Sequence, residues 1–251
     1  MKKLIFLQAI IVIVLLSSCI SQKKVWLMQD QVPQTETEFT NPRQESYKVK
    51  PGDRLFIKVY SSDKQTSKFF QTDLPNFMNS TYQYLNSYPV DPEGYLNFSF
   101  IEKLEVEGLT VREVEKVLQE TLNEYFKDVT VVVKLVNFQV TVLGEVENEG
   151  KYTINEERIN LLQSIALAGG IKEFGDRENV SLIRHSKNGS KVHYLDLTDK
   201  KILESDLYHI QPGDVIYVKS LKSKSFTYET FPYSVLLSSM AIIVSVVSIL
   251  K

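Results

Sequence analysis

The chain has 251 residues, 43% of them hydrophobic and 11% aromatic, which is the composition of a folding chain and excludes wholesale disorder. Lys plus Arg number 29 against 31 Asp plus Glu, a formal charge of −2, so there is no basic footprint for nucleic acid. A single cysteine leaves no internal disulfide and no cysteine-built metal site.

Lys2 and Lys3 precede an apolar run over residues 4–16, broken only by Gln8, and Leu16-Ser17-Ser18-Cys19 follows. A charged start, a short apolar stretch and small residues before a cut form a secretory signal. At ~1.5 Å per residue the run is too short to span a bilayer comfortably. The four residues resemble the lipobox of bacterial lipoproteins. That resemblance implies a signal peptide over residues 1–18 and acylation of the Cys19 thiol, read out as palmitate incorporation. The alternative is an incidental cysteine beside an uncleaved anchor. Ile20 in place of Asp after the cysteine implies transport to the outer membrane, and residues 19–46, polar with Pro33 and Pro42, read as a tether.

Order is expected from Tyr47. Tyr47-Lys48-Val49-Lys50-Pro51-Gly52-Asp53 is a turn feeding a strand, with Pro51 pre-set for the first corner and Gly52 free to take positive φ. The phrase returns as Tyr208-His209-Ile210-Gln211-Pro212-Gly213-Asp214 before a second apolar strand. A pair of Asp-based catalytic sites would need a base, nucleophile or metal ligand beside each copy. None accompanies Asp53 or Asp214, so both read as turns in which Asp accepts local hydrogen bonds.

Residues 61–88 are long for a plain connection and rich in Phe and Tyr, hence functional, partly helical, or both. Val90-Asp91-Pro92-Glu93-Gly94 reads as a turn, Thr110 and Glu113 as a capping box, and residues 129–136 as a β-branched strand. A second unit opens at Phe138. Asn160 and Gln163 precede a short helix that Gly169-Gly170 stops, and Lys187-Asn188-Gly189 marks a hairpin. His185 and His193 could face each other across that hairpin and hold a metal, but strand histidines without further ligands are the expectation; no cofactor is expected.

These matches, in this order, resemble the outer-membrane polysaccharide export proteins of capsule and exopolysaccharide systems. Tyr47 to Val59, the Val90–Gly94 turn and the Val106-Glu107-Gly108-Leu109-Thr110 step resemble their export domain. Val142-Leu143-Gly144-Glu145-Val146 through Gly170 and Arg184 is similar to their soluble-ligand-binding β-grasp module. Glu102-Lys103 and Glu149-Gly150 depart from the usual Ile-Gly-like and Pro-Gly pairs. The expected fold is therefore α+β: an export domain at 47–138, one β-grasp-like domain at 139–220, a linker at 221–232 and a transmembrane helix at 233–250. The resemblance implies no enzyme, but a subunit of an outer-membrane channel that passes polysaccharide. It also implies a homo-oligomeric ring, an octamer in the family, above an inner-membrane polysaccharide co-polymerase. The alternative is a periplasmic sugar-binding or scaffold lipoprotein anchored at its C-terminus without forming a pore.

Eighteen residues at ~1.5 Å each give about 27 Å, suited to a thin outer membrane. Pro232 fits the first turn, and Phe226, Tyr228, Phe231 and Tyr233 read as an interfacial belt. Ser234, Ser238, Ala241, Ser245 and Ser248 share one face of that helix. Either the stripe lines a hydrated pore, or it packs helix on helix.

Overall fold

The computed structural model describes residues 26–29, 38–39, 46–63, 66, 70, 80–99, 101–186, 189–221, 234–235, 237–239, 241–242 and 245. Two hydrophobic cores lie one after the other along the chain. Cys19 and the rest of the expected signal peptide fall outside the described residues.

The first core starts with β1 (Arg54–Ser61), whose alternating burial turns Leu55, Ile57 and Val59 inward. After it come α1 (Ser80–Leu85), β2 (Tyr88–Pro89), β3 (Tyr95–Phe98), β4 (Ile101–Glu105), α2 (Val111–Asn123) and β5 (Val129–Leu135). β1 is the middle of an antiparallel sheet ordered β2-β1-β5, and β3 pairs with β4 as a hairpin. α2 begins at a full capping box. The Glu113 amide donates to Thr110 Oγ1 at 3.2 Å, and the Thr110 amide donates to Glu113 Oε2 at 2.7 Å. Its Val114, Leu118 and Leu122 recur at helical spacing and are fully buried.

The aromatic segment ahead of β2 is divided where it is described: Phe70 packs inward, while Tyr84 and Leu85 are exposed. Phe70 stacks on Phe98 at 6.4 Å and meets Phe126 edge-on at 5.3 Å. Phe70 thus serves the first core.

The second core holds β6 (Gln139–Gly144), β7 (Gly150–Thr153), α3 (Leu161–Leu167), β8 (Val180–Ser186), β9 (Gly189–Leu195), a 3₁₀ turn (Lys200–Glu204) and β10 (Val215–Val218). The sheet order is β7-β6-β10-β8-β9: a central parallel pair, β6 and β10, flanked by hairpins. Asn160 caps α3 with Gln163 in a second complete capping box, and Gly169 and Gly170 both take positive φ at its end. Gly144 has φ +93°, and a Cβ there would collide with the Val218 carbonyl, so the close of the β6–β10 pairing requires glycine.

One expectation is corrected, and two further features add to the sequence reading. The α+β reading holds, but among the described residues no helix is long and apolar enough to cross a membrane, which overturns the crossing expected at 233–250. Ser234, Ser238, Ser239, Ser245 and Ser248 lower the mean hydropathy of the stretch. Part of the presumed tether is docked: the Met28 amide donates to Leu197 O at 3.0 Å and the Gln29 amide to Thr198 O at 2.7 Å. Finally, the register sets His193 opposite Leu182 and His185 opposite Ser190. Three residues separate the two on their ladder, so the rings project from opposite faces of the sheet and cannot share a metal.

Candidate functional site

The repeated phrase builds the junction between the two cores. In the first copy Gly52 has φ +87°, and Asp53 is only 6% exposed. Its Oδ2 accepts from the Lys50 amide at 2.8 Å and from the Tyr47 hydroxyl at 2.9 Å. In the second copy Gly213 has φ +85°, and Asp214 Oδ2 accepts from the Gln211 amide at 2.8 Å. The turn is the same, with Asp reaching back three residues to hold it shut.

What neutralises the two aspartates differs. Tyr208, in register with Tyr47, is buried in the second core. Arg184 of β8 takes over instead, donating from Nη2 at 2.7 Å and Nε at 3.0 Å to Asp214, and from Nη2 to the His209 carbonyl at 3.1 Å. Burial holds the Asp53 carboxyl above its ordinary value, against the pull of the Lys50 amide and the Tyr47 hydroxyl. Burial first and the Asp53 charge second push the Tyr47 phenol far above its own. Burial, with Arg158 nearby, lowers His209.

The two turns grip the connection between the cores. Asn137 Oδ1 accepts from the Arg54 amide at 3.0 Å, and its Nδ2 donates to the Gly52 carbonyl at 3.3 Å. On the other side the Gly213 amide donates to the Gln139 carbonyl at 2.8 Å. Leu135 packs against both cores. Pro51-Gly52-Asp53 and Pro212-Gly213-Asp214 thus stand on either flank of the connecting residues 137–139, as a clasp.

Beside the clasp opens a cleft of about 1330 Å³ with walls from both units. Lys48, Lys50 and Lys134 line one side, Arg158 and Arg184 the other, and basic groups outnumber carboxylates. Arg112 and Glu157 approach to 3.6 Å across it, both well exposed, a pair worth about 0–1 kcal/mol. Among the described residues no group of three His, Cys, Asp or Glu side chains could hold a metal ion. With this lining of cationic and polar side chains the cleft is suited to binding and positioning.

Of the C-terminal stripe, Ser234, Ser238, Ala241 and Ser245 are helical and exposed, and Ser248 lies outside the described residues. Ser238 Oγ donates to Val235 O at 3.0 Å and Ser245 Oγ to Ala241 O at 2.9 Å, so these hydroxyls are turned onto their own helix. Sequence reasoning missed Asn137 altogether and, though Arg184 was singled out, missed its pairing with Asp214, which spans 30 residues.

Comparison with known proteins gives matches on either side of the clasp. Residues 41–136 match the family described as polysaccharide biosynthesis/export protein, and residues 139–218 match the SLBB domain. The EPS I polysaccharide export outer membrane protein EpsA of Ralstonia nicotianae is 28% identical over 151 residues, 56% of this chain. The matched stretch spans only 39% of that relative's length.

Proposed function

Since the chain belongs to the polysaccharide export protein family, we propose that it is a non-catalytic, lipid-anchored subunit of an outer-membrane assembly that passes capsular or extracellular polysaccharide out of the cell. Residues 47–138 act as its export domain and residues 139–220 as its ligand-binding β-grasp domain. Cys19 carries the lipid. Copies of the chain form a ring, and the export domain meets an inner-membrane co-polymerase that feeds the polymer.

The observation that carries this reading is the succession of the two modules on one clasped connection. A ring subunit built of two tiers must keep their relative orientation, or the tiers lose register from copy to copy. The twin turns do this with backbone and Asn137 hydrogen bonds on both flanks of residues 137–139. A passage for polymer needs such rigidity and no chemistry, which accords with Asp53 and Asp214 being spent on their own turns. Outer-membrane placement is supported by the printed name of the Ralstonia relative and by the lipobox-like residues before Cys19.

The test is Cys19→Ser in the native host, followed by membrane fractionation, palmitate labelling and assay of extracellular polymer. The native chain is expected in the outer-membrane fraction with label. The variant is expected unlabelled, displaced from that fraction and deficient in export. Continued acylation and processing of Cys19→Ser would refute the lipid anchor, and unchanged export would refute the need for it.

A further inference from the structure

The five-stranded sheet buries one face against α3 and leaves the other uncovered. On the buried face lie Val140, Val142, Leu182, Ile216 and Val218. On the open face the register aligns Leu143 of β6, Tyr217 of β10, Ser181 of β8 and Tyr194 of β9 in one row across four strands. Tyr194 is 67% exposed, Tyr217 43% and Leu143 38%. Between the tyrosines Ser181 is 6% exposed, and its hydroxyl makes no hydrogen bond to protein among the described residues. A buried hydroxyl without a partner is a group waiting for one. Lys219 brings its ammonium to 5.3 Å from the centre of the Tyr194 ring.

Size decides between occupants. Four strands at ~4.8 Å spacing make the row about 14 Å long, and with the neighbouring row of alternate residues the patch is on the order of 300 Å². A stable protein interface needs about 800 Å² per partner, so a second copy held by this face alone would not stay. A narrow chain fits. Tyr217 and Tyr194 stand two strands apart, ~9.6 Å, about the length of a disaccharide in an extended glycan. Tyrosine offers a flat apolar face for the C–H side of a pyranose and a polar tip for its hydroxyls. Ser181 and Lys219 add a hydroxyl and a cation where the sugar edge would lie.

We infer that the open face of this sheet is a glycan-binding platform, with Tyr217 and Tyr194 stacking on sugar rings of a polysaccharide laid across the strands and Ser181 bonding between them. The inference rests on the export reading and assigns the polymer a place on the chain.

The test uses the full-length chain in detergent and, as probe, oligosaccharides sheared from the exopolysaccharide of the same host, with affinity read by calorimetry and assembly by sedimentation. Tyr194→Ala and Tyr217→Ala should each weaken binding about five- to ten-fold, and the pair more, with assembly unchanged. Tyr194→Trp should hold or tighten binding, and Tyr125→Ala, an equally exposed tyrosine of the first unit, should leave it within about two-fold. Native affinity in the double alanine variant overturns the platform. So does loss of assembly with binding intact, which would mean that another copy covers the face. Absence of any binding by the native chain, when deleting the chain still abolishes export, overturns the platform while leaving the export reading standing.

Discussion

Replacing Arg184 by Met would leave the Asp214 carboxylate, only 1% exposed, with the Gln211 amide as its one remaining donor given by the turn. Breaking a buried pair from one side costs about 3–5 kcal/mol, because the abandoned charge cannot recover its water. The Arg184 side chain is 18% exposed, so solvent can reach into the gap and the lower end, ~3 kcal/mol, is the expected cost. For a unit of this size that corresponds to a fall in Tm of about 12–24 °C. Arg184→Met combined with Asp214→Asn should cost less than the sum of the two singly, since the amide needs no counter-charge. Urea titration of the native chain and the three variants, followed by circular dichroism and by emission of the sole tryptophan, Trp26, measures this. Trp26 sits beside Met28 and Gln29, which are bonded to the second unit, so its signal follows that unit. A shift below about 4 °C for Arg184→Met, or strict additivity in the double variant, would refute the argument that the second turn is held by a desolvated charge pair.

In the first turn the same aspartate is met by a neutral donor, so Tyr47→Phe should cost only about 1 kcal/mol. The native phenol keeps its proton above its ordinary value while the unfolded phenol loses it above about pH 10, so stability should fall as pH rises past 10, and Tyr47→Phe should flatten that limb in alkaline melts. Thr110→Ala removes the acceptor for the Glu113 amide and should lower the stability of the first unit by about 1 kcal/mol in urea titration. Asn137→Ala removes both side-chain hydrogen bonds of the clasp; calorimetry should then resolve two separate transitions, and a single unchanged one would contradict the clasp. Gly144→Ala, at φ +93° against the Val218 carbonyl, should prevent the second unit from folding, seen as lost ellipticity.

Local chemistry was legible in the sequence and distant pairing was not. Both capping boxes, the twin turns and the glycine stop after α3 follow from residues within a few positions of one another, and each stands where spacing put it. The repeat also warned that Asp53 and Asp214 were structural. It could not tell that Tyr47 serves the first while Arg184 serves the second, because Tyr208 keeps its register yet turns into the core. Docking of Met28 and Gln29 was hidden for another reason: it is carried by backbone amides, which leave no mark in side-chain periodicity. The C-terminal apolar stretch misled because hydropathy over eighteen residues was taken for a continuous crossing helix. The platform row could be seen only once β10 had been placed between β6 and β8, strands distant from it in the chain.

The most direct test of the export reading is the location of polymer in the native host after in-frame deletion of this chain. Sugars are pulse-labelled, and polymer is counted outside the cell and within the periplasm. The account predicts that extracellular polymer is lost, that synthesis persists or stalls with polymer retained inside, and that the full chain supplied in trans restores release. Undiminished extracellular polymer in the deletion strain would contradict it.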